Sequence, residues 1–256
     1  AQTIISFTDA AFLGLLGVVS LGASMMAGMY YFVYTTLALG FAVGIQIIIA
    51  RRFGEKRFNE IATIFNHGAI FVAILGISLL LLLLLFSKSI LVHIIDSPNI
   101  FAESMEYIKF RQFGIIFVCF NYLYRSLYIG LSNTKVITYS TLLMAVVNIF
   151  LDYCLIFGKL GFPEMGIGGA ALASLSAEIS ASIFFTIFTF FKVHLKDIKV
   201  FSRHKIEMPL LKNILSIGAP TMVQRLLSFS AWFIFFIMIE KMGELAIGIS
   251  SIVRSA

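Results

Sequence analysis

Residues 61–86 read IATIFNHGAIFVAILGISLLLLLLLF, an apolar run that contains seven consecutive leucines at 79–85. A helix that crosses the hydrocarbon core of a bilayer needs about 20 predominantly apolar residues. The run is longer than that and holds no Lys, Arg, Asp or Glu. A membrane barrel is excluded because its strands alternate in polarity over segments of about ten residues. Residues 61–86 therefore predict a transmembrane helix.

The composition of the whole chain agrees with this prediction. Of its 256 residues, 60% are apolar and 12% are charged, and the mean hydropathy is +0.99. Soluble domains average about 45–50% apolar and about 25% charged residues. This composition excludes soluble folds, and with them most cofactor enzymes and nucleic-acid binders. It predicts a polytopic membrane protein with room for roughly seven spans.

Short polar breaks divide the chain into apolar segments. Backbone groups in lipid must be hydrogen-bonded within the chain, so each segment is expected to be helical. The predicted fold is all-α, a membrane helix bundle in which an eighth segment begins after the seventh. The segments cover 4–19, 24–50, 61–86, 113–131, 136–157, 168–191 and 214–239. Because the chain starts inside the first segment and without Met, we expect a fragment of a longer protein.

The basic residues of the breaks predict the orientation of the bundle. Breaks after the even-numbered spans hold the larger group, Arg51, Arg52, Lys56, Arg57, Lys135, Lys192, Lys196, Lys199, Arg203, Lys205 and Lys212. Breaks after the odd-numbered spans hold Lys88, Lys109, Arg111, Lys159 and Lys241. Lys and Arg favour the cytoplasmic side. We therefore expect a multi-pass protein of the bacterial inner membrane with a cytoplasmic N-terminus.

A weak internal repeat links the two ends of the chain. An offset of 226 residues places Gly17, Leu21, Gly22 and Ser24 on Gly243, Ile247, Gly248 and Ser250. Six spans separate the matched segments, so the repeat is parallel, as in transporters with two related halves. The predicted organisation is an N-terminal lobe of six helices (1–191), a basic cytoplasmic linker (192–212) and the start of a second lobe (213–256).

Three acidic residues, Asp9, Asp152 and Glu178, lie well inside spans, where ionisable groups are functional candidates. Asn148 and Asp152 are one helical turn apart and share a face. The hairpin at 158–167 makes the fifth and sixth spans neighbours and brings Ser174 to the depth of Asp152. The spacing predicts a pocket of Asp9, Asn148, Asp152 and Ser174.

Two carboxylates with an amide and a hydroxyl can hold a proton or coordinate Na⁺ through oxygen. Alternatively, Asn148 only hydrogen-bonds between helices, and Glu178 snorkels or lines water. Glu178, Gln46 and Gln224 are candidates for lining the cavity. The many Phe residues either bind cationic drugs by cation–π contact or simply pack against lipid and neighbouring helices.

Several motifs resemble the multidrug and toxic compound extrusion (MATE) transporters. They are DAAFLGLLG at 9–17, Gln46 with ARRFG at 50–54, RSLYIGLSNTK at 125–135, NIFLD at 148–152 and GFPEMGIGGAALAS at 161–174. The resemblance implies a twelve-helix antiporter that exports organic cations or drugs in exchange for Na⁺ or H⁺. It also implies a coupling-cation site at Asp9, Asn148, Asp152 and Ser174, where the family often has Thr instead of Ser174.

We therefore expect a cation-coupled exporter that uses no cofactor besides its coupling ion, binds no nucleic acid and is a monomer when full length. The alternative in the same superfamily is a flippase of lipid-linked saccharides, which would favour a cationic cavity for pyrophosphate. An intramembrane enzyme is not expected, because the chain has neither HExxH nor GxSxG. A receptor or channel would not explain the repeat.

Overall fold

The computed structural model describes residues 2–194, 198, 200 and 207–255. Within these residues the chain is helical and has no strand, which confirms the all-α prediction. The helices are α1 (Gln2–Leu16), α2 (Val18–Gly54), α3 (Phe58–Ile94), α4 (Pro98–Arg111), α5 (Gly114–Gly130), α6 (Lys135–Ile156), α7 (Gly166–Thr189) with a π-helical turn (Phe190–His194), α8 (Met208–Glu240) and α9 (Glu244–Ser255). Residues 195–197, 199 and 201–206 of the predicted linker 192–212 lie outside the described residues.

Among the described residues, five helices are long and apolar enough to cross a membrane: α2, α3, α6, α7 and α8. α4 and α5 together make a sixth candidate span, bent by 58° between its two parts. The leucine run lies near the end of α3. Leu79 and Leu83 are buried and one turn apart, whereas Leu81 and Leu85 are half-exposed or more. One stripe of α3 therefore packs against the bundle, and the opposite face is available to lipid.

The prediction of a polar break between the third and fourth spans was wrong. α3 continues to Ile94, and the segment after it is helix α4. Ser97 caps α4, since its Oγ accepts a hydrogen bond from the backbone N–H of Ile100 at 3.3 Å, and Pro98 follows at the first helical position. Arg111 consequently ends a helix inside the bundle instead of lying in an exposed loop.

Helix α2 is central and packs against α3, α4, α5, α8 and α9. Its contact with α8 depends on glycines. A Cβ on Gly44 would lie 2.8 Å from the Cα of Gly218, and a Cβ on Gly40 would lie 2.5 Å from the Cα of Met222. Gly40 and Gly44 are four residues apart on α2, and their partners Gly218 and Met222 are four residues apart on α8. Each helix therefore presents one face to the other, and small residues let the two backbones approach closely in membrane helices.

One end of the bundle, here called the basic end, contains the turn from α2 to α3. Arg51, Arg52 and Arg57 lie there. Arg52 forms ion pairs with Glu55 (2.6 Å) and Glu60 (2.9 Å). These pairs connect the last turn of α2 with the first turn of α3 and hold the tight connection between the two helices.

At the opposite end, two carboxylates connect α8 and α9 to the start of α4. Buried Glu240 accepts hydrogen bonds from the backbone N–H groups of Asp96 (3.1 Å) and Ser97 (2.9 Å). Glu244 accepts hydrogen bonds from the Ser97 hydroxyl and from the Asn99 amide, the latter at 3.2 Å. Negative charge is favourable at the N-terminus of a helix, so these contacts fasten the last helices to the first six spans.

The residues of the predicted repeat have matching backbone geometry. Gly17 between α1 and α2 has φ 137°, and Gly243 between α8 and α9 has φ 117°. Both values lie in the region that favours glycine. The next matched pair meets directly, since a Cβ on Gly22 would lie 2.8 Å from Ile247 Cγ2 and 3.9 Å from the nitrogen of Gly248. The two matched junctions therefore face each other at the opposite end.

Candidate functional site

The hairpin between α6 and α7 sets the register of the candidate site. Gly158 and Gly161 turn the chain with positive φ values of 62° and 83°, and the backbone N–H of Met165 donates to the carbonyl of Leu155 at 2.8 Å. A Cβ on Gly169 would lie only 2.6 Å from that carbonyl oxygen. The small residues that begin α7 thus allow the close approach to α6 that the sequence predicts.

A cavity of about 410 Å³ lies among α1, α2, α4, α5, α6, α7 and α9. Three of the four predicted pocket residues line it: Asp9 from α1, Asn148 from α6 and Ser174 from α7. Asp152 lies one turn further along α6 and is fully buried, with its carboxylate within interaction distance of the Asp9 carboxylate. The structure thus brings all four residues together.

The polar atoms of this pocket have unused hydrogen-bonding capacity. Within the described part of the chain, no other side chain or backbone group hydrogen-bonds to Asp9 Oδ1, to either Asp152 oxygen or to the amide N and O of Asn148, and the two carboxylates can hydrogen-bond to each other only by sharing a proton. Asn148 is 1% exposed and Asp152 is 0% exposed. Buried polar groups are normally hydrogen-bonded, because desolvation without a partner is costly. The donor set suits a proton shared between the carboxylates, or a hard cation such as Na⁺ bound through oxygen.

These residues do not form a typical transition-metal site. Across the described ranges, no cluster of three or more His, Cys, Asp or Glu side chains is arranged to hold a metal ion. The pocket has two carboxylates, an amide and a hydroxyl. Each of these groups can bind a cation through an oxygen atom. Oxygen ligands of this kind favour hard cations over zinc or copper.

An ion pair that the sequence analysis missed forms another wall of the cavity. Arg111 donates from Nη1 and Nη2 to the two oxygens of Glu178 at 2.7 and 2.5 Å. Its guanidinium also lies over the ring of Tyr31, 4.3 Å from the centroid. Gly114 leaves room for the pair, because a Cβ there would collide with Glu178 Oε2. Glu178 therefore lines the cavity as expected, but as a bidentate partner of arginine rather than as a snorkelling side chain.

The other two candidates do not reach this cavity. Gln46 lies on α2 and is partly buried, and Gln224 lies on α8 with its side chain exposed. Neither is among the residues that line the carboxylate cavity. Depth explains the difference for Gln46, since it lies about three turns beyond Thr35, the last α2 residue that lines the cavity. Of the described residues, none from α8 lines this cavity.

A second, apolar cavity of about 510 Å³ lies along α8, α9 and α2. Its aromatic residues are Phe229, Trp232, Phe235 and Phe236. Arg254 of α9 borders both cavities, with Nη1 3.2 Å from the sulfur of Met25 and the guanidinium carbon 5.9 Å from the Phe236 centroid. The Phe-rich sequence thus supplies a concave aromatic surface next to the carboxylate cavity.

Comparison with known proteins identifies the family. The family model described as MatE matches residues 1–154, more than half of the chain. The chain belongs to the MatE family. This membership confirms the resemblance stated from the motifs, and together with the apolar helices it establishes a multi-pass membrane protein.

Named relatives of this MatE chain are bacterial proteins. It is 28% identical over 221 residues to the probable multidrug resistance protein NorM of Agrobacterium fabrum, covering 86% of this chain and 47% of that protein. It is 32% identical over 179 residues to the NorM protein of Rhizobium meliloti, covering 70% and 38%. The chain therefore spans about half the length of the relatives it matches.

Solved structures show the same fold. An inward-facing multidrug resistance MATE family transporter has a TM-score of 0.88 at 24% identity, covering 99% of this chain and 57% of that one. An outward-facing structure of a transporter of the same family has a TM-score of 0.80 at 23% identity, covering 100% and 61%. The MatE helix arrangement of this chain is therefore that of known MATE transporters.

Proposed function

We propose that the protein is a secondary active antiporter that exports organic cations or drugs in exchange for Na⁺ or H⁺. In this proposal residues 1–191 are the N-terminal lobe, 192–212 the linker and 213–256 the start of the second lobe. The relatives described as multidrug resistance proteins support the substrate class. The matching glycine junctions at Gly17 and Gly243 support the two-lobe organisation.

The observation that carries the coupling role is the group of unpartnered buried atoms on Asp9, Asn148 and Asp152. Two buried carboxylates repel each other unless a bound cation or proton reduces their combined negative charge. Binding of Na⁺ or H⁺ therefore stabilises the pocket, and its release leaves the pocket strained. A transporter couples two gradients when the binding of one ion changes which conformation is favoured.

The basic end supports a cytoplasmic N-terminus. With Arg111 buried, the basic residues on the opposite side are fewer than the sequence analysis counted, so the excess at the basic end becomes larger. We therefore place the basic end in the cytoplasm of a bacterial cell and the carboxylate pocket in the half of the lobe that faces away from it.

The alternative, a flippase for lipid-linked saccharides, requires net positive charge to bind pyrophosphate. Here the negative charge of Glu178 compensates the positive charge of Arg111. The remaining charged groups are one cation, Arg254, and two carboxylates, Asp9 and Asp152. The excess of carboxylates favours cationic ligands over anionic ones, so we retain the exporter.

The test is drug efflux by the full-length protein in proteoliposomes, with Na⁺ and pH gradients imposed separately. Asp152→Asn should abolish efflux of ethidium while leaving membrane insertion intact. The matched control is Glu164→Gln, because Glu164 is an exposed acid in the α6–α7 hairpin and should be dispensable. Unchanged efflux by the Asp152 variant would refute the site, and efflux that responds to neither gradient would refute antiport.

A further inference from the structure

The ion pair of Arg111 and Glu178 and the carboxylate pocket occupy one cavity. Asp9, Asn148, Arg111 and Glu178 all line it, from α1, α6, α4 and α7. The arginine and glutamate side chains are 14% and 7% exposed. A permanent cation is thus held within the same small cavity that Asp9 lines, and the carboxylate of Asp152 is within interaction distance of Asp9.

Glu178 fixes where this cation lies. Both of its oxygens accept hydrogen bonds from Arg111, and its own backbone carbonyl accepts one from the Asn121 amide at 3.0 Å. Asn121 in turn accepts a hydrogen bond from Ser182 at 2.8 Å. α5 and α7 are therefore tied together around Glu178, so the carboxylate is a rigid anchor, whereas arginine is a long and flexible side chain.

Loss of this anchor would leave a buried guanidinium without its counter-charge, which is a strongly unfavourable state. The other charged groups that face the cavity are Asp9 from α1 and Arg254 from α9, and the buried Asp152 interacts with Asp9 from outside the cavity lining. Tyr31, Tyr107 and Tyr122 complete its polar wall. Among the residues of this cavity and its aspartate pocket, the unpartnered acceptors are the Tyr31 hydroxyl, Asn148 Oδ1 and the oxygens of Asp9 and Asp152. Only the two aspartates carry negative charge, so they are the favourable destination for a released Arg111.

We propose that Glu178 is a positioning residue that restrains Arg111, and that Arg111, when released, enters the carboxylate pocket and competes with the coupling cation. The inference rests on the proposed function, in which that pocket binds Na⁺ or H⁺. Glu178 thereby sets the cation affinity of a pocket that it does not touch. Arg111 pairs either with Glu178 or with Asp9, and the balance between these two pairs controls the affinity of the pocket for its cation.

The two substitutions of the pair should act in opposite directions. Glu178→Gln releases the competitor and should weaken cation binding by about tenfold or more. Arg111→Gln removes the competitor and should tighten cation binding, and the double variant Arg111→Gln/Glu178→Gln should bind at least as tightly as the wild type. A pair that only holds helices together would instead give weaker binding in all three variants.

The experiment measures binding of radiolabelled Na⁺ to the purified full-length protein, and the pH at half-maximal proton-driven efflux in proteoliposomes. If the wild type responds to Na⁺, the variants are compared by Na⁺ binding; if it responds to H⁺, they are compared by the pH at half-maximal efflux. Weaker proton binding appears as a lower half-maximal pH, and tighter binding as a higher one. Glu106→Gln is the matched control, because Glu106 forms an exposed ion pair with Lys109 at 3.6 Å on the same helix; it should leave binding unchanged.

Rescue of the Glu178 variant by the second substitution would support the proposal, and failure of the double variant to recover would overturn it. If Glu178→Gln does not fold, cation binding by the Arg111→Gln variant tests the proposal on its own. Tighter binding than in the wild type supports competition by Arg111, and weaker binding refutes it. A wild type that responds to neither ion would refute the proposed function itself, independently of the variant comparison.

Discussion

The contact between α2 and α8 makes a quantitative prediction about glycine. A Cβ added to Gly44 would lie 2.8 Å from the Cα of Gly218 and 2.9 Å from its nitrogen. Carbon atoms pack best at about 3.5–4.0 Å, so Gly44→Ala requires the two backbones to separate by about 0.7 Å or more. No flexible side chain is available to move aside. Such overpacking costs about 1–3 kcal/mol.

Gly28 provides the matched control on the same helix, because a Cβ there would have no heavy atom within 4 Å. Replacing glycine by alanine inside a helix gains up to about 1 kcal/mol of intrinsic helix propensity, and this gain applies at both sites. The difference between the two variants therefore isolates the steric term, and Gly44→Ala should be about 1–3 kcal/mol less stable than Gly28→Ala. Gly40→Ala, with a Cβ 2.5 Å from Met222 Cα, should be at least as destabilised as Gly44→Ala.

Thermal unfolding in detergent micelles, followed by circular dichroism, measures this order. The expected ranking of unfolding temperatures is Gly28→Ala first, then Gly44→Ala, with Gly40→Ala lowest or equal to it. Equal stability of all three variants would show that α2 and α8 are not in backbone contact in the folded protein, and the reasoning would fail.

Two further predictions follow from contacts outside this interface. Gly114→Ala introduces a Cβ that collides with Glu178 Oε2 and lies 2.7 Å from Arg111 Nη1. Because these are side-chain ends that can shift, thermal unfolding should show a smaller loss than for Gly44→Ala, which meets backbone atoms; a larger loss would contradict the geometry. Ion pairing with Arg52 and a second arginine lowers the pKa of exposed Glu55 from 4.5 to about 2. Its stabilising effect is therefore complete above pH 4.5 and is lost as the pH falls toward 2, so Glu55→Gln should make the unfolding temperature less sensitive to pH in that interval.

The spans and the pocket were accessible from sequence because their signals are local. A long apolar run is sufficient to predict a membrane helix, and four-residue spacing places Asn148 and Asp152 on one face of α6. The short hairpin then fixes α7 beside α6 at a known depth. Each inference needs only one helix or one turn, so no knowledge of the remaining packing is required.

The ion pair was missed because its signal is not local. Arg111 follows Lys109 in a segment of low hydropathy, which has the appearance of an exposed break, and its partner Glu178 lies on another span. The cap and proline at Ser97 and Pro98 were a readable sign that this segment begins a helix. Gln46 lies outside the carboxylate cavity for a different reason: it shares a face of α2 with Thr35 but is about three turns further along the helix.

The first six spans are joined to α8 and α9 by contacts of different kinds. The contact of Gly40 and Gly44 with α8 is close and apolar, and water cannot replace it. At the opposite end, Glu240 and Glu244 accept hydrogen bonds from the start of α4, and water can substitute for the protein donors. Hydrogen bonds to charged groups contribute about 1.5–3 kcal/mol each net, so this end separates only where water replaces the protein donors, whereas the glycine contact has no such substitute.

Under the proposed function, alternating access predicts that the opposite end, and not the glycine contact, opens during transport. Cysteines placed at Asn99 and Glu244, whose side chains are hydrogen-bonded at 3.2 Å, should form a cross-link that arrests efflux by the full-length protein in proteoliposomes. Reduction should restore transport, and each single cysteine variant is the control. Full efflux with the cross-link intact would mean that this end stays closed throughout the cycle, and the two lobes would then have to move about a different contact.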